Sequence, residues 1–199
     1  MDCLPDGLRL DRCRNPDRNN RKPRLDGRGG SAGKTAGGGC EMKRVRLTFV
    51  EEGVSAVAEL LEEQAPKTAQ MIWELLEEPL ENQAVHAMFT GRELSFGVPE
   101  DRMCQEKAFS LPPENQTMFP LPGDLVWNAY LPYQWQGTPH VVYDFGIFYG
   151  RECRILLPTG WRPSNRFGQI VENLEDFAAV CARTQREGVK RIRLERIGS

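Results

Sequence analysis

The sequence predicts a mainly β domain with two helices, its strands closing into a small barrel, and three observations carry that expectation. Residues 43–50, 84–96, 141–149 and 190–197 read as strands, with apolar and polar side chains alternating most clearly in the first. Pro112-Pro113, Pro120, Pro122-Gly123, Pro132, Gly137 and Pro139 cut the middle of the chain into short pieces, the texture of a barrel rather than of a layered α/β sheet. Helical spacing of apolar residues is confined to two stretches, one after Pro66 and one after Asn173.

Within residues 43–50, Val45, Leu47 and Phe49 face one way and Arg44, Arg46 and Thr48 the other, and Glu51-Glu52-Gly53 then makes a turn. Residues 54–62 stay open between helix and strand: their Ala, Leu and Glu favour helix, while Val54, Ala56, Ala58 and Leu60 alternate. Pro66 suits a first helical turn, where its missing N–H costs nothing, and Met71, Ile72, Leu75 and Leu76 follow at helical spacing until Pro79. Residues 84–96 form a strand-like stretch interrupted at Gly91 and closed by Pro99; residues 141–149 and 154–157 flank a turn at Gly150. The second helix is expected over 174–187, with Asn173 as cap, Asp176 three residues on, and Gly188 as a left-handed C-terminal cap. In the last strand Ile192, Leu194 and Ile197 point inward.

A chain of 199 residues, 40% hydrophobic and 27% charged, fits one globular domain with a tail. Residues 1–41 are rich in Arg, Asp, Asn, Pro and Gly and have no periodicity, the composition of a segment that cannot offset its ordering entropy. They hold nine Lys/Arg against six Asp/Glu, which leaves seventeen against twenty-two for the rest, so the domain proper is acidic. The expectation is a disordered tail or mis-assigned leader over 1–41 and one domain over 42–199, with Met42 opening the first strand. Arg28-Gly29-Gly30-Ser31-Ala32-Gly33-Lys34-Thr35 imitates a phosphate-binding loop, but Arg28 replaces the first glycine and neither strand nor helix flanks it.

A net charge of −2 and a pI near 5.8 argue against a nucleic-acid partner. No apolar run approaches the roughly 20 residues of a membrane span, so a cytoplasmic protein without membrane partner is expected. Cys3, Cys13, Cys40, Cys104, Cys153 and Cys181 form no C-x-x-C pair and lack histidines at zinc spacing. They are expected to be reduced thiols, with no metal and no cofactor.

Glu63-Gln64-Ala65-Pro66-Lys67-Thr68-Ala69 resembles the cyclophilin element in which a strand runs into a helix through A/V-P-K-T, which makes residues 54–62 the second strand. The runs Ala84-Val85-His86-Ala87-Met88-Phe89-Thr90-Gly91-Arg92-Glu93, Pro113-Glu114-Asn115-Gln116-Thr117 and Pro122-Gly123-Asp124 resemble an uncharacterised bacterial and archaeal cyclophilin-like family. So do Phe148-Tyr149-Gly150-Arg151 and Gly160-Trp161-Arg162-Pro163-Ser164-Asn165-Arg166-Phe167. The resemblance implies a cyclophilin-like closed β-barrel of about eight strands capped by two helices. It does not imply prolyl isomerase activity, because nothing between Phe89 and Gly123 reproduces the F-x-R-x-x-x-x-F-x-x-Q-G phrase of those enzymes. A more distant resemblance is to the cyclophilin-like domain of cucumopine synthase, an opine-forming enzyme.

Candidate chemistry gathers in these runs. His86 shares a strand face with Ala84, Met88, Thr90 and Arg92, and an imidazole there can serve as acid or base, with Glu114 as its partner. Arg92 or Arg151 would hold an anionic group. Asn115, Gln116 and Thr117 concentrate polar groups in a loop, and Tyr149, Trp161, Asn165 and Phe167 bring the mixed aromatic and polar lining of a small-molecule pocket at one end of the barrel. The function expected is binding or transforming a small anionic amino-acid-like, keto-acid or cyclic-amide metabolite by acid/base chemistry. The alternatives are a non-catalytic module that forms a homo-oligomer or docks to a partner, and a prolyl isomerase.

Overall fold

In β1 (Arg44–Phe49) the alternation turns Val45, Leu47 and Phe49 into the core, at 3% exposure or less. The computed structural model that places them describes residues 42–135 and 137–198; the expectations for the first 41 residues lie outside the described residues. β2 (Val54–Leu60) is a strand, because it pairs antiparallel with β1 on one side and with β10 (Ser164–Glu172) on the other. Pairing on both edges, with Ala56, Ala58 and Leu60 buried, overrides the helix preference of Ala, Leu and Glu.

Eight antiparallel strands close the barrel: β2, β1, β11 (Lys190–Ile197), β3 (Leu80–His86), β4 (Glu93–Val98), β7 (Val142–Phe148), β6 (Asp124–Tyr130) and β10, which returns to β2. β5 (Gln116–Thr117) adds to β10, while β8 (Leu156–Leu157) and β9 (Gly160–Trp161) form a separate hairpin. The fold is the mainly β closed barrel that the sequence implies. Helices α1 (Pro66–Leu75) and α3 (Leu174–Glu187) bury Met71, Ile72 and Leu75, and Phe177, Val180 and Cys181, against it. The ring of Phe177 meets Phe49 at 4.6 Å.

Three local differences have physical reasons. A third, five-residue helix, α2 (Gln105–Phe109), lies in the Pro-flanked middle of the chain, where it is too short for helical spacing to register. Asn173 precedes α3 in a left-handed conformation (φ 56°) but donates its side-chain amide to Ser55 O at 2.8 Å instead of capping the helix; Gly188 takes a positive φ (89°) that favours glycine, but its ψ of −164° lies outside the αL conformation expected of the cap. Cys153 and Cys181 are buried free thiols.

The barrel interior is packed. Leu47, Leu60, Leu125, Phe145, Ile147 and Phe167 surround a residual void of about 10 Å³, at the lower limit for one water. The pocket expected at one end of the barrel therefore does not extend into its interior. None of the helices among the described residues is long and apolar enough to cross a membrane.

Candidate functional site

The cavity lies on the outer surface of the β4–β7–β6 sheet, and strand alternation explains why. Leu94, Phe96, Phe145, Ile147, Leu125 and Trp127 point into the barrel core. Their neighbours Glu93, Ser95, Asp144, Gly146, Phe148, Val126 and Asn128 therefore point to the other face. There Val126 and Phe148 pack with Cys153 and Ile155 as a second small apolar cluster, because the chain from 149 to 163 folds back over that face.

Between this cover and the sheet lies a cavity of about 140 Å³ with Glu93, Asp144 and His86 in its wall. The two carboxyls are buried, at 4% and 8% exposure. Thr90 Oγ1 donates to Glu93 Oε2, and Ser95 Oγ donates to Asp144 Oδ1. Asn128, opposite Asp144 in the β6–β7 register, gives Asp144 a second hydrogen bond. Its own carbonyl accepts from Ser164 Oγ at 2.5 Å, so the amide orientation is fixed from both ends. Tyr130 and Trp135, whose rings meet at 5.0 Å, complete an aromatic wall.

Burial dominates the electrostatics. It pushes the Glu93 carboxyl up to about 8, helped by the nearby Asp144 charge and opposed by the Thr90 hydroxyl. Burial likewise pushes Asp144 up to about 6, against the hydrogen bonds from Ser95 and Asn128. The Tyr130 phenol is raised by burial and then by the Asp144 carboxylate, with Arg162 working the other way. No Lys or Arg lines the cavity among the described residues. Near neutral pH the pair thus holds one proton, a carboxylic acid beside a carboxylate, which is the arrangement that acid/base chemistry uses.

His86 ends β3 at the edge of this cavity, half-buried. Its Nε2 lies 2.7 Å from Tyr149 Oη and its Nδ1 2.9 Å from Ala87 O, and the Tyr149 ring stands edge-on to it. Tyr149 itself is buried at the border of the core. Glu114 is not brought to His86. Its carboxylate accepts from Lys67 N at 3.2 Å and from Thr68 N and Thr68 Oγ1 at 2.8 Å each, which satisfies free amides of the first turn of α1.

Asn165 locks that corner. Its amide donates to Thr68 Oγ1 and Pro112 O, and its carbonyl accepts from Glu114 N. Asn115 (φ 45°) donates to Arg166 O, and the Thr117 hydroxyl accepts from Phe119 N. Gln116 is exposed beside Asn165 in a second groove. Trp161, half-exposed, packs its ring at a tilt against Phe119, and Phe167 is barrel core. Arg92 and Arg151 are exposed, with the Arg92 stem lying across Gly150, where a Cβ would collide with it; neither lines the cavity.

Sequence reasoning missed Glu93, Ser95, Asn128 and Asp144. The first two alternate with Leu94 and Phe96, a pattern that carries no sign of burial for its polar members. Asp144 carried a usable signal: it is a lone carboxylate within Val141-Val142-Tyr143-Asp144-Phe145-Gly146-Ile147-Phe148, too apolar a run for one solvated face.

Several solved structures resemble this fold. McbB, in a structure described as its complex with tryptophan, superposes with a TM-score of 0.55 at 17% identity, over 78% of this chain and 45% of that one. The chain thus spans less than half the length of McbB. The Mimivirus cyclophilin gives a TM-score of 0.46 at 11% identity, over 78% of this chain and 87% of that one. A cyclophilin-type peptidyl-prolyl cis-trans isomerase of Cryptosporidium parvum gives 0.43 at 13%, over 79% and 99%. No curated protein matches the sequence significantly. Residues 47–196 match the family described as protein of unknown function DUF3830, and the chain, with its cyclophilin-like barrel, belongs to that family.

Proposed function

We propose that the protein binds a small amine-bearing molecule in the Glu93–Asp144 cavity and transfers a proton to or from it. The observation that carries this reading is two buried carboxyls lining one cavity with no Lys or Arg beside them among the described residues. A cavity of that charge repels an anion and favours an ammonium group, whose charge offsets the cost of ionising the pair. This shifts the expected ligand from an anion toward the amine of an amino-acid-like molecule.

Asp144 is the base and the protonated Glu93 the acid, with Ser95, Thr90 and Asn128 holding the two carboxyls in place. His86 closes the cavity edge, held there by its contacts with Tyr149 Oη and Ala87 O. Trp135, packed against Tyr130, offers an aromatic surface to the ligand.

The test is thermal denaturation with tryptamine, with tryptophan, and with indole as the neutral control; the tryptophan complex of McbB makes that ring system a natural probe. A ligand at a hundred times its Kd adds about 2.7 kcal/mol to the native state, and hence several degrees to Tm. Tryptamine is expected to raise Tm for the wild type and not for Asp144→Asn. An equal rise in both proteins, or no rise in either, rejects the amine reading.

A further inference from the structure

We propose that a second groove, adjoining the carboxyl cavity at Asn128, binds a small organic carboxylate with an apolar or aromatic body. The groove has a volume of about 180 Å³ and runs between α2 and the start of β10. Its apolar surface comes from Phe109, Leu111 and Pro163, and its polar groups include Gln116 and Arg162.

Two independent features define its ligand. Arg162 is half-buried, stacks over the Tyr130 ring at 4.3 Å and gives Nη2 to Ala129 O at 2.6 Å. It makes no ion pair with any carboxylate among the described residues. A guanidinium has five N–H donors in a planar fork, so Arg162 is fixed in orientation with donors left for a carboxylate.

The second feature is Trp127, in the groove wall, whose indole N–H has no hydrogen-bond partner among the described residues although the residue is only 5% exposed. A buried donor left unmade costs about 1–3 kcal/mol, which a ligand's acceptor oxygen would recover on reaching it from the groove. Asn165 contributes shape only, since its amide and carbonyl are committed to Thr68, Pro112 and Glu114.

The two cavities therefore carry opposite charge preference on either side of Asn128: carboxyls on one, an unpaired guanidinium and an indole donor on the other. An anion excluded from the first is admitted by the second. The proposal does not rest on the amine reading of the first cavity.

The experiment titrates the full chain with phenylacetate, and with phenylacetamide as the uncharged control, following the indole N–H resonances of its four tryptophans; Trp127→Phe identifies the Trp127 signal. Phenylacetate is expected to shift the Trp127 resonance saturably, at least tenfold more tightly than phenylacetamide. Arg162→Gln is expected to weaken it at least tenfold, while Arg183→Gln, at an exposed arginine of α3 outside the groove, leaves it unchanged. Gln116→Glu, at an exposed position, puts a negative charge on the rim and is expected to weaken phenylacetate even if Arg162→Gln fails to fold. A Trp127 resonance that does not respond, or affinity that survives both charge changes, overturns the proposal.

Discussion

The carboxyl of Glu93 occupies the space that a side chain at Gly146 would fill: a Cβ there would overlap Glu93 Oε1 and crowd Val126 Cγ2. Gly146 lies opposite Ser95 in the β4–β7 register, so the carboxyl two residues before Ser95 folds flat against the neighbouring strand. Burial of Glu93 thus depends on a missing side chain one strand away.

Gly146→Ala should destabilise the fold by about 1–3 kcal/mol, the usual cost of overpacking, and should drive the Glu93 carboxyl outward. Chemical denaturation measures the first effect and a carboxyl titration the second. An alanine accepted without loss of stability would mean that the carboxyl has other room.

This relationship marks what the sequence made legible. β1 and β11 were readable because one of their faces is solvated and their apolar residues alternate. β6 and β7 are covered on both faces, by the core within and by the returning 149–163 segment without, so their alternation is blurred. Asn128 and Asp144 lie in those doubly covered strands, and Glu93 in the adjoining β4. His86 was legible as a rare titratable residue near a strand end; Glu93 was not, because an alternating polar residue looks solvated until a distant segment covers it. Glu114 stood out by its polar neighbours, yet its contacts, to the first turn of α1, depend on a fold-back that spacing does not encode.

Stability should fall as pH rises above about 4.5. Glu93 moves from 4.5 unfolded to about 8 folded and Asp144 from 3.8 to about 6, so over that window the folded state binds more protons than the unfolded one. The stabilisation from each is complete below its unfolded value and is lost as pH passes through its folded value, at up to about 1.4 kcal/mol per pH unit per group. Glu62, Glu74, Glu114 and Glu187 are held below the usual range and act oppositely, losing their contribution as pH falls below about 4.5. Denaturation midpoints from pH 4 to 9 should peak near 4.5 and decline above it. Glu93→Gln should flatten the decline and be more stable than the wild type at pH 9; a wild-type curve rising to pH 8 would refute the assignment.

Glu114→Ala should cost about 1 kcal/mol, as loss of an N-terminal helix cap does, with tryptamine affinity changed less than twofold. Burial opposes ionisation of Glu114, but the Thr68 and Lys67 hydrogen bonds outweigh it and keep the carboxylate charged for this contact. A tenfold loss of affinity in a stably folded variant would tie Glu114 to the cavity.

His86→Ala and Tyr149→Phe both break the 2.7 Å contact and should each cost about 1 kcal/mol of stability. Only His86→Ala removes a cavity wall, so it should weaken tryptamine at least tenfold while Tyr149→Phe weakens it by a smaller factor. Equal effects from the two would reduce His86 to a structural partner of Tyr149.

Carbon-13 detection of the glutamate side-chain carboxyls, with Glu93→Gln to identify the resonance, follows the group on which the site depends. The Glu93 signal is expected to titrate near pH 8 and to move down on addition of tryptamine. A signal that titrates in the ordinary carboxylate range and ignores the amine would contradict the assignment.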